Sequence, residues 1–262
     1  MSIGMIPLNK TRWHLFFTLT TVDFKLRDQG TALGFMWSLL YPGLMFTILY
    51  LLFTKWMGKF VDGYAAYLII GLLQWQFFER ATTASLNCLR RSSQLVRNFR
   101  FPIELLVMSS VGSAAICYAI ELCIMFIFVI VLGISPSLRW LTVPAIAAAS
   151  AVFCVGVSLW LSTLTLEYQD MERIWTILLT AGFFLTPVFY PIHILSARNQ
   201  ALINMNPMLH FIGALRSATT GQSPFPLSGF LTVSAAGVIL CASGLWFFAR
   251  HHNRLIDRII LK

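Results

Sequence analysis

Residues 102–133 read PIELLVMSSVGSAAICYAIELCIMFIFVIVLG, and Glu104 and Glu121 are the charged side chains in this stretch. A helix needs about 20 consecutive, mainly apolar residues to cross the hydrocarbon core of a bilayer. The stretch exceeds that length and is almost entirely apolar. It therefore predicts a transmembrane helix.

Comparable apolar stretches occur along the whole chain. Of its 262 residues, 58% are hydrophobic and 11% are charged, whereas an average soluble domain is about 25% charged. This composition predicts an all-α polytopic membrane protein, and the length leaves no room for a separate large soluble domain. We predict one transmembrane domain over residues 1–262 with six transmembrane helices, at residues 33–57, 64–78, 102–133, 140–166, 174–190 and 227–248.

Two further segments are predicted to touch the membrane without crossing it. Residues 8–30 carry leucines at helical spacing between charged residues, which favours an amphipathic interface helix. The alternative is an ordinary helix packed on the rest of the protein. Residues 191–226 are interrupted by four prolines, and their apolar pieces are too short to span a bilayer. We expect re-entrant or interfacial helices there.

The distribution of lysine and arginine predicts the orientation. With both termini in the cytoplasm, 14 of the 19 basic residues are cytoplasmic, namely Lys10, Arg12, Lys25, Arg27, Arg80, Arg90, Arg91, Arg97, Arg100, Arg173, Arg250, Arg254, Arg258 and Lys262. The other 5 are then outside: Lys55, Lys59, Arg139, Arg198 and Arg216. The positive-inside rule favours this orientation. Because the basic residues lie in short segments between apolar stretches, the net charge of +9 does not indicate nucleic acid as a partner.

The chain lacks the common motifs of nucleotide binding and hydrolysis. It contains no GxxxxGK[ST] phosphate-binding loop, no HExxH and no GxSxG, and its five cysteines are scattered without a CxxC pair. We therefore predict no catalytic residue and no metal site. Any work that the protein performs then takes its energy from a partner or from an ion gradient.

Glu121 is a charged residue near the middle of a predicted span, where ionisable groups are rare and often functional. It is either a proton or cation site or a hydrogen-bonded packing residue. Glu104 lies close to the cytoplasmic start of that span, and no second buried carboxylate or lysine is expected beside Glu121, which favours the packing role. An ion-coupled secondary transporter using Glu121 stays open as an alternative.

Aromatic residues make up 14% of the chain and gather toward the ends of the predicted spans. Interface belts are one explanation. The other is a wide channel whose flat apolar faces stack on the C–H faces of sugars. The candidates for such a channel lining are Trp37, Tyr41, Trp75, Phe78, Phe183, Phe184, Phe189 and Tyr190.

Six segments together resemble one known family. They are DFKLRDQGTALGFMWSLLYP (23–42), GLLQWQFF (71–78), QLVRNFRFP (94–102), EYQDMERIW (167–175), TPVFYP (186–191) and MNPMLHFIGALR (within 204–216). In this order they resemble the membrane-spanning permease of bacterial ATP-binding-cassette polysaccharide exporters, which move O-antigen, capsule or teichoic polymers. Two departures are Asp28, where the family often has tyrosine, and Gln169, where it often has arginine.

The resemblance implies partners and an energy source. It implies a homodimer of this chain with two separate ATPase subunits, which bind the ATP and magnesium, in the bacterial inner membrane. This chain itself then needs no cofactor. The expected substrate is a lipid-linked polysaccharide, most simply of O-antigen type, with capsule or teichoic acid export as the near alternative.

The resemblance also implies roles for particular residues. The cytoplasmic loop 85–101 is expected to carry a coupling helix near residues 86–98, with contacts to the ATPase from Arg90, Arg91, Gln94, Arg97, Asn98 and Arg100. Those arginines could instead anchor the loop to anionic lipid. Lys25, Arg27 and Asp28 are expected on the interface helix at the cytoplasmic entry.

An outer gate is expected at Pro187, Pro191, Asn206 and Pro207. The prolines break helical hydrogen bonding, and the freed carbonyl groups then need partners from protein or water. The alternative is a simple helix end followed by a loop.

Overall fold

The computed structural model describes residues 10–27, 36–98, 102–168 and 170–261, and across these ranges the chain forms helices and no strands. The helices are α1 Lys10–Arg27, α2 Met36–Met57, α3 Tyr64–Leu86, α4 Cys88–Arg91, α5 Ser93–Asn98, α6 Glu104–Val131, α7 Val143–Glu167, α8 Met171–Leu185, α9 Ala197–Ile203, α10 Pro207–Thr220 and α11 Leu227–Leu261. Short 3₁₀ turns cover Leu138–Thr142 and Ile192–Ile194. The all-helical fold class is confirmed.

Four helical segments in the described residues are long and apolar enough to cross a membrane. They are Met36–Met57, Glu104–Val131, Leu138–Glu167 and Leu227–His252. These segments correspond to the predicted first, third, fourth and sixth spans. The chain is therefore a multi-pass membrane protein.

The other two predicted spans are also helical, but they differ from the four long apolar segments. Helix α3 contains the polar side chains Gln74, Gln76, Glu79 and Arg80. Helix α8 has 15 residues, or about 22 Å at 1.5 Å per residue, whereas the hydrocarbon core is about 30 Å thick. Helix α3 is therefore more polar, and helix α8 shorter, than a helix that crosses the hydrocarbon core surrounded by lipid.

Helix α3 lies at the centre of the bundle and packs against α2, α6, α7, α8 and α10. Leu68, Ile70 and Phe77 are fully buried in the main hydrophobic core. Phe77 stacks on Tyr118 of α6 with ring centroids 4.4 Å apart. This central position explains how α3 can carry polar residues, because its neighbours rather than lipid surround it.

Helices α7 and α11 approach each other closely through small residues. A Cβ atom added at Gly156 would lie 2.8 Å from the backbone nitrogen of Cys241, and one added at Gly244 would lie 2.8 Å from the Cβ of Leu159. Membrane helices commonly use glycine in this way, because backbones then come into direct contact. These glycines hold the last helix against the core.

Helix α11 extends well beyond the predicted end of the sixth span at residue 248. Its backbone is non-helical at His251, which marks a kink. Beyond the kink, Leu255 and Ile259 are buried in a second hydrophobic cluster together with Leu89 and Val96 of the α4–α5 segment. The end of the chain therefore packs against the segment that was predicted to couple to an ATPase.

Two boundaries differ from the sequence-based expectation. The predicted helix 86–98 is split at Ser92 into α4 and α5. Of the predicted interface helix 8–30, residues 10–27 form α1, and residues 8–9 and 28–30 lie outside the described ranges. Helix α1 packs on α6, where Thr20 lies opposite Gly112, while Trp13 and Phe17 on it remain exposed. It combines an exposed aromatic face with a face packed on the protein.

Candidate functional site

The helical structure is interrupted after α8 at residues 186–191, a non-helical segment that we call the break. Hydrogen bonds to four consecutive carbonyl groups hold this segment in place. Arg216 donates to the carbonyl oxygens of Pro187, at 2.9 Å, and Val188, at 2.6 Å. The hydroxyl groups of Tyr64 and Tyr67 donate to the next two, those of Phe189 at 2.9 Å and Tyr190 at 3.0 Å. The carbonyl groups of this segment therefore have protein side chains as partners, and its role as an outer gate stays a prediction.

Arg216 is buried at the centre of this arrangement. Its guanidinium carbon lies 3.3 Å from the ring centroid of Tyr67, and its Nε donates to the Tyr67 carbonyl at 3.1 Å. Gly71 makes room for the contact, since a Cβ there would lie 2.8 Å from the Val188 carbonyl oxygen. Arg216 was predicted on the outer side, within the re-entrant segment 191–226, and it lies within α10, where it binds backbone carbonyl groups of other elements.

Asn206 and Pro207 begin helix α10 beside the same break. The Asn206 side chain accepts from the backbone N–H of Met208 at 3.0 Å and donates to the Thr186 hydroxyl at 2.7 Å. Pro207 occupies the first helical position, where its missing N–H costs nothing. The structure thus brings Pro187, Asn206 and Pro207 together, and Pro191 is buried nearby in the chain.

The predicted channel aromatics fall into two groups. Trp75, Phe78, Phe183, Phe184, Phe189 and Tyr190 form one connected set of ring contacts. Within it Trp75 and Phe78 are buried in the core, whereas Phe184 is 60% exposed. Trp37 and Tyr41 lie on the exposed side of α2, 46% and 54% exposed.

A buried ion pair joins α3 to α6. Both terminal nitrogens of Arg80 donate to the two carboxylate oxygens of Glu121. Next to it, the Tyr118 hydroxyl donates to Gln74 Oε1 at 2.5 Å. Arg80 was predicted in the basic stretch after the second span, yet it lies inside α3. Glu121 therefore has a cationic partner that its own span could not reveal.

The α4–α5 segment, residues 88–98, presents some of its polar residues outward and uses others internally. Arg91, Gln94 and Arg97 are exposed. Arg90 is half-buried and donates to the carbonyl of Thr165 at the end of α7. The side chain of Asn98 and all of Arg100 lie outside the described residues.

Helix α1 carries the predicted entry residues Lys25 and Arg27 and one half-buried carboxyl group, that of Asp23. Lys25 is exposed, while the Arg27 side chain and Asp28 lie outside the description. The Asp23 carboxylate accepts from the Ser109 hydroxyl at 3.2 Å and from that of Ser110 at 3.5 Å. Burial raises the pKa of Asp23 above its usual 3.8, and these hydrogen bonds and Arg91 only partly offset the shift.

Sequence reasoning missed Arg216, Arg80 and the two tyrosines that hold the break. Both arginines sit in or next to apolar helical sequence, where charged residues are costly and usually have a function. That signal was available for Arg216, which follows the apolar run HFIGAL. Tyr64 and Tyr67 carried no signal, because only the fold shows that their hydroxyls reach residues 189 and 190.

These features define a class of protein. Several long apolar helices, a break between helices held by polar side chains, and an exposed basic segment are typical of a membrane-embedded transport subunit. The chain belongs to the ABC-2 type transporter family, whose profile matches residues 14–219.

Curated relatives cover nearly the full length. The chain is 30% identical over 245 residues to an O-antigen export system permease protein RfbA of Klebsiella pneumoniae, covering 93% of this chain and 94% of the relative. It is 27% identical over 248 residues to the protein of the same name in Myxococcus xanthus. The polysialic acid transport protein KpsM of Escherichia coli is 20% identical over 200 residues, or 75% of this chain.

Proposed function

We propose that this chain is the channel-forming membrane subunit of an ATP-driven exporter that moves a lipid-linked polysaccharide of O-antigen type across the bacterial inner membrane. The observation that carries the proposal is the full-length similarity to O-antigen export permeases, at about 29–30% identity. The capsular alternative rests on KpsM, which matches a smaller share of the chain at 20% identity.

The proposed topology has six membrane-crossing elements and both termini in the cytoplasm. Helix α3 is the second, because buried neighbours surround its polar residues. Helix α8 with the following break, residues 171–190, is the fifth. The segment 191–226, including α9 and α10, then re-enters the outer leaflet. The distribution of basic residues supports this orientation.

The working unit is proposed to be a homodimer. Helix α2 and helix α8 each leave wide apolar faces uncovered, with Leu51, Trp56, Ile177 and Leu185 all more than 60% exposed. Phe184, Trp37 and Tyr41 are exposed on the same two helices and supply flat faces to a path between two copies. Trp75 and Phe78 pack behind that path.

ATP hydrolysis is assigned to two partner subunits, which bind the ATP and magnesium. Gln94 and Arg97, both exposed on α5, are proposed to contact these subunits, Arg97 through acidic groups and Gln94 through hydrogen bonds, since exposed basic residues favour contacts with acidic partners. Arg90 ties the α4–α5 segment to α7 through Thr165. A push on the segment would therefore move the bundle rather than bend a loose loop.

The test is genetic complementation in the source bacterium. Deletion of this chain should abolish surface O-antigen while leaving capsule intact, and the wild-type gene should restore it. The same loss should follow from inactivating the phosphate-binding loop of the partner ATPase. Loss of capsule with intact O-antigen would instead identify the chain as a permease for capsular polysaccharide.

A second experiment distinguishes the ATP-driven exporter from the ion-coupled alternative. If export uses an ion gradient through Glu121, dissipating the proton gradient should stop export while ATPase mutants have no effect. The proposal requires the opposite pattern.

A further inference from the structure

Two cavities lie on either side of the Arg80–Glu121 ion pair. One, of about 550 Å³, is polar and is lined by α1, α3, α4 and α6, with Asp23, Arg80, Arg91 and Ser113 among its residues. The other, of about 290 Å³, is apolar and lies between α2, α3 and α6. Arg80 lines the first and Glu121 the second, so the ion pair is their common boundary.

The two cavities lie along the same faces of α3 and α6. On α3, Ile69 and Leu73 line the apolar groove, and Arg80 and Thr83 line the polar cavity. Spacings of four, seven and three residues place side chains on one face of a helix. A smaller pocket lined by Tyr41, Gln76 and Glu79 adjoins the polar cavity, with which it shares Arg80 and Thr83.

The face of α6 shows the same change from polar to apolar. Ser110 and Ser113 line the polar cavity, whereas Glu121, Ile124 and Phe128 line the groove. These positions are three, eight, three and four residues apart, close to the helical repeat. The two helices therefore form one strip with a polar end and an apolar end.

The polar end contains opposite charges that do not pair with each other. Asp23 and Arg91 both line the cavity, yet no ion pair joins them within the described residues. Both terminal nitrogens of Arg80 donate to Glu121. Its Nε is buried and has no hydrogen-bond partner among the described residues. The cavity thus offers the guanidinium of Arg91, which also donates to the carbonyl of Ala84 at 3.1 Å, for an anion, and the carboxylate of Asp23 for a cation.

The apolar end has the length of one leaflet. From Arg80 to Ile69, α3 rises about 16 Å at 1.5 Å per residue, close to half of the roughly 30 Å hydrocarbon core. The groove is open in front of Gly43, where an added Cβ would meet nothing within 4 Å. A single acyl chain would reach the groove from the surrounding bilayer.

We propose that this strip binds one phosphatidylethanolamine molecule, with its phosphate toward Arg91, its ammonium toward Asp23, and one acyl chain past the Arg80–Glu121 ion pair along the α2–α3–α6 groove. A zwitterionic headgroup matches the unpaired opposite charges of the cavity, and an acyl chain matches the apolar groove. Phosphatidylglycerol has the phosphate but lacks the cation. The proposal depends on the membrane class of the protein and not on its exported substrate.

The test measures which lipid stays with the full chain. The protein is reconstituted in nanodiscs of equal phosphatidylethanolamine and phosphatidylglycerol, extracted into mild detergent, and its retained phospholipids are quantified by mass spectrometry. We expect about one phosphatidylethanolamine per chain and severalfold enrichment over phosphatidylglycerol. Asp23→Asn is nearly isosteric and should abolish the enrichment, while Lys25→Gln on the same helix should preserve it.

A second pair of variants tests the acyl groove. Gly43→Trp places a ring in the open groove and should reduce retained lipid severalfold, whereas Leu44→Trp, on the exposed neighbouring position, should not. Elution volume and helix content confirm folding of each variant. The proposal would be overturned if the wild type retained the two lipids equally, or if the enrichment survived Asp23→Asn. It would also be overturned if the wild type retained the exported polymer's lipid instead of either phospholipid.

Discussion

The guanidinium of Arg216 donates to the carbonyl oxygen of Pro187 at 2.9 Å, and this hydrogen bond joins α10 to the break that follows α8. Because Arg216 is buried and binds three backbone carbonyl groups in all, the break is a fixed part of the fold. A region predicted as a gate from its prolines is thus held by an arginine from a different element.

Arg216→Gln should destabilise the protein, because it leaves buried carbonyl groups without donors. Each buried acceptor left unsatisfied costs about 1–3 kcal/mol, so we expect a loss of about 3 kcal/mol in the free energy of unfolding. The measurement is thermal unfolding of purified protein in detergent. Arg139→Gln is the matched control, since its side chain is exposed and makes one long hydrogen bond, to Gly221 at 3.4 Å.

Arg216→Lys distinguishes a fixed break from a general need for positive charge. Lysine keeps the charge but lacks the planar fork that reaches two carbonyls at once. We expect it to remain close to Arg216→Gln in stability. Full stability of the lysine variant would contradict the assignment of Arg216 as a geometric clamp.

The sequence was sufficient for the elements that depend on local composition. Four long apolar segments appear where hydropathy predicts them, and the break at TPVFYP follows from proline chemistry. The contacts across the bundle were not predictable, because Arg80 pairs with a residue 41 positions away and Tyr64 with one 125 positions away. Such pairs depend on how helices are arranged, which periodicity within one helix does not contain.

The Arg80–Glu121 pair should show strong coupling in a double-mutant cycle. Removing one partner of a buried ion pair leaves an uncompensated charge and costs roughly 3–5 kcal/mol. We therefore expect Glu121→Gln and Arg80→Gln each to lower the melting temperature markedly, and the double variant to regain part of the loss. Glu104→Gln, at the start of the same helix, serves as the control. Additive losses would show that the two side chains are not coupled.

Asp23→Asn should remove a pH dependence from the packing of α1 on α6. Burial raises the pKa of Asp23 from 3.8 in the folded protein. A raised carboxyl pKa means that its contribution to stability is present below pH 3.8 and is lost as pH rises through the folded value. In detergent free of phospholipid, Asp23→Asn should match wild type near pH 3.5 and be the more stable protein at pH 7. Melting curves across this range test the sign.

The tail of α11 should control the position of the α4–α5 segment. Leu255 is 5% exposed in the cluster that contains Leu89 and Val96, and truncating a buried leucine to alanine costs about 2–5 kcal/mol. Part of that loss should appear locally, because the cluster is separate from the main core. Leu255→Ala should therefore loosen the segment without unfolding the transmembrane bundle.

The measurement is the labelling rate of a cysteine introduced in place of Val96, which is 6% exposed in the same cluster, in a background without accessible native thiols. If Leu255→Ala releases α5 from its packed position, the labelling rate should rise. Polymer export should then fall, while the ATPase subunit that we propose as the partner still hydrolyses ATP. Trp246→Ala, at a 64% exposed position on the same helix, should change neither. Unchanged labelling together with unchanged export would mean that the buried tail does not brace the segment, and α5 would then depend on Arg90 and its contact with Thr165 for its position.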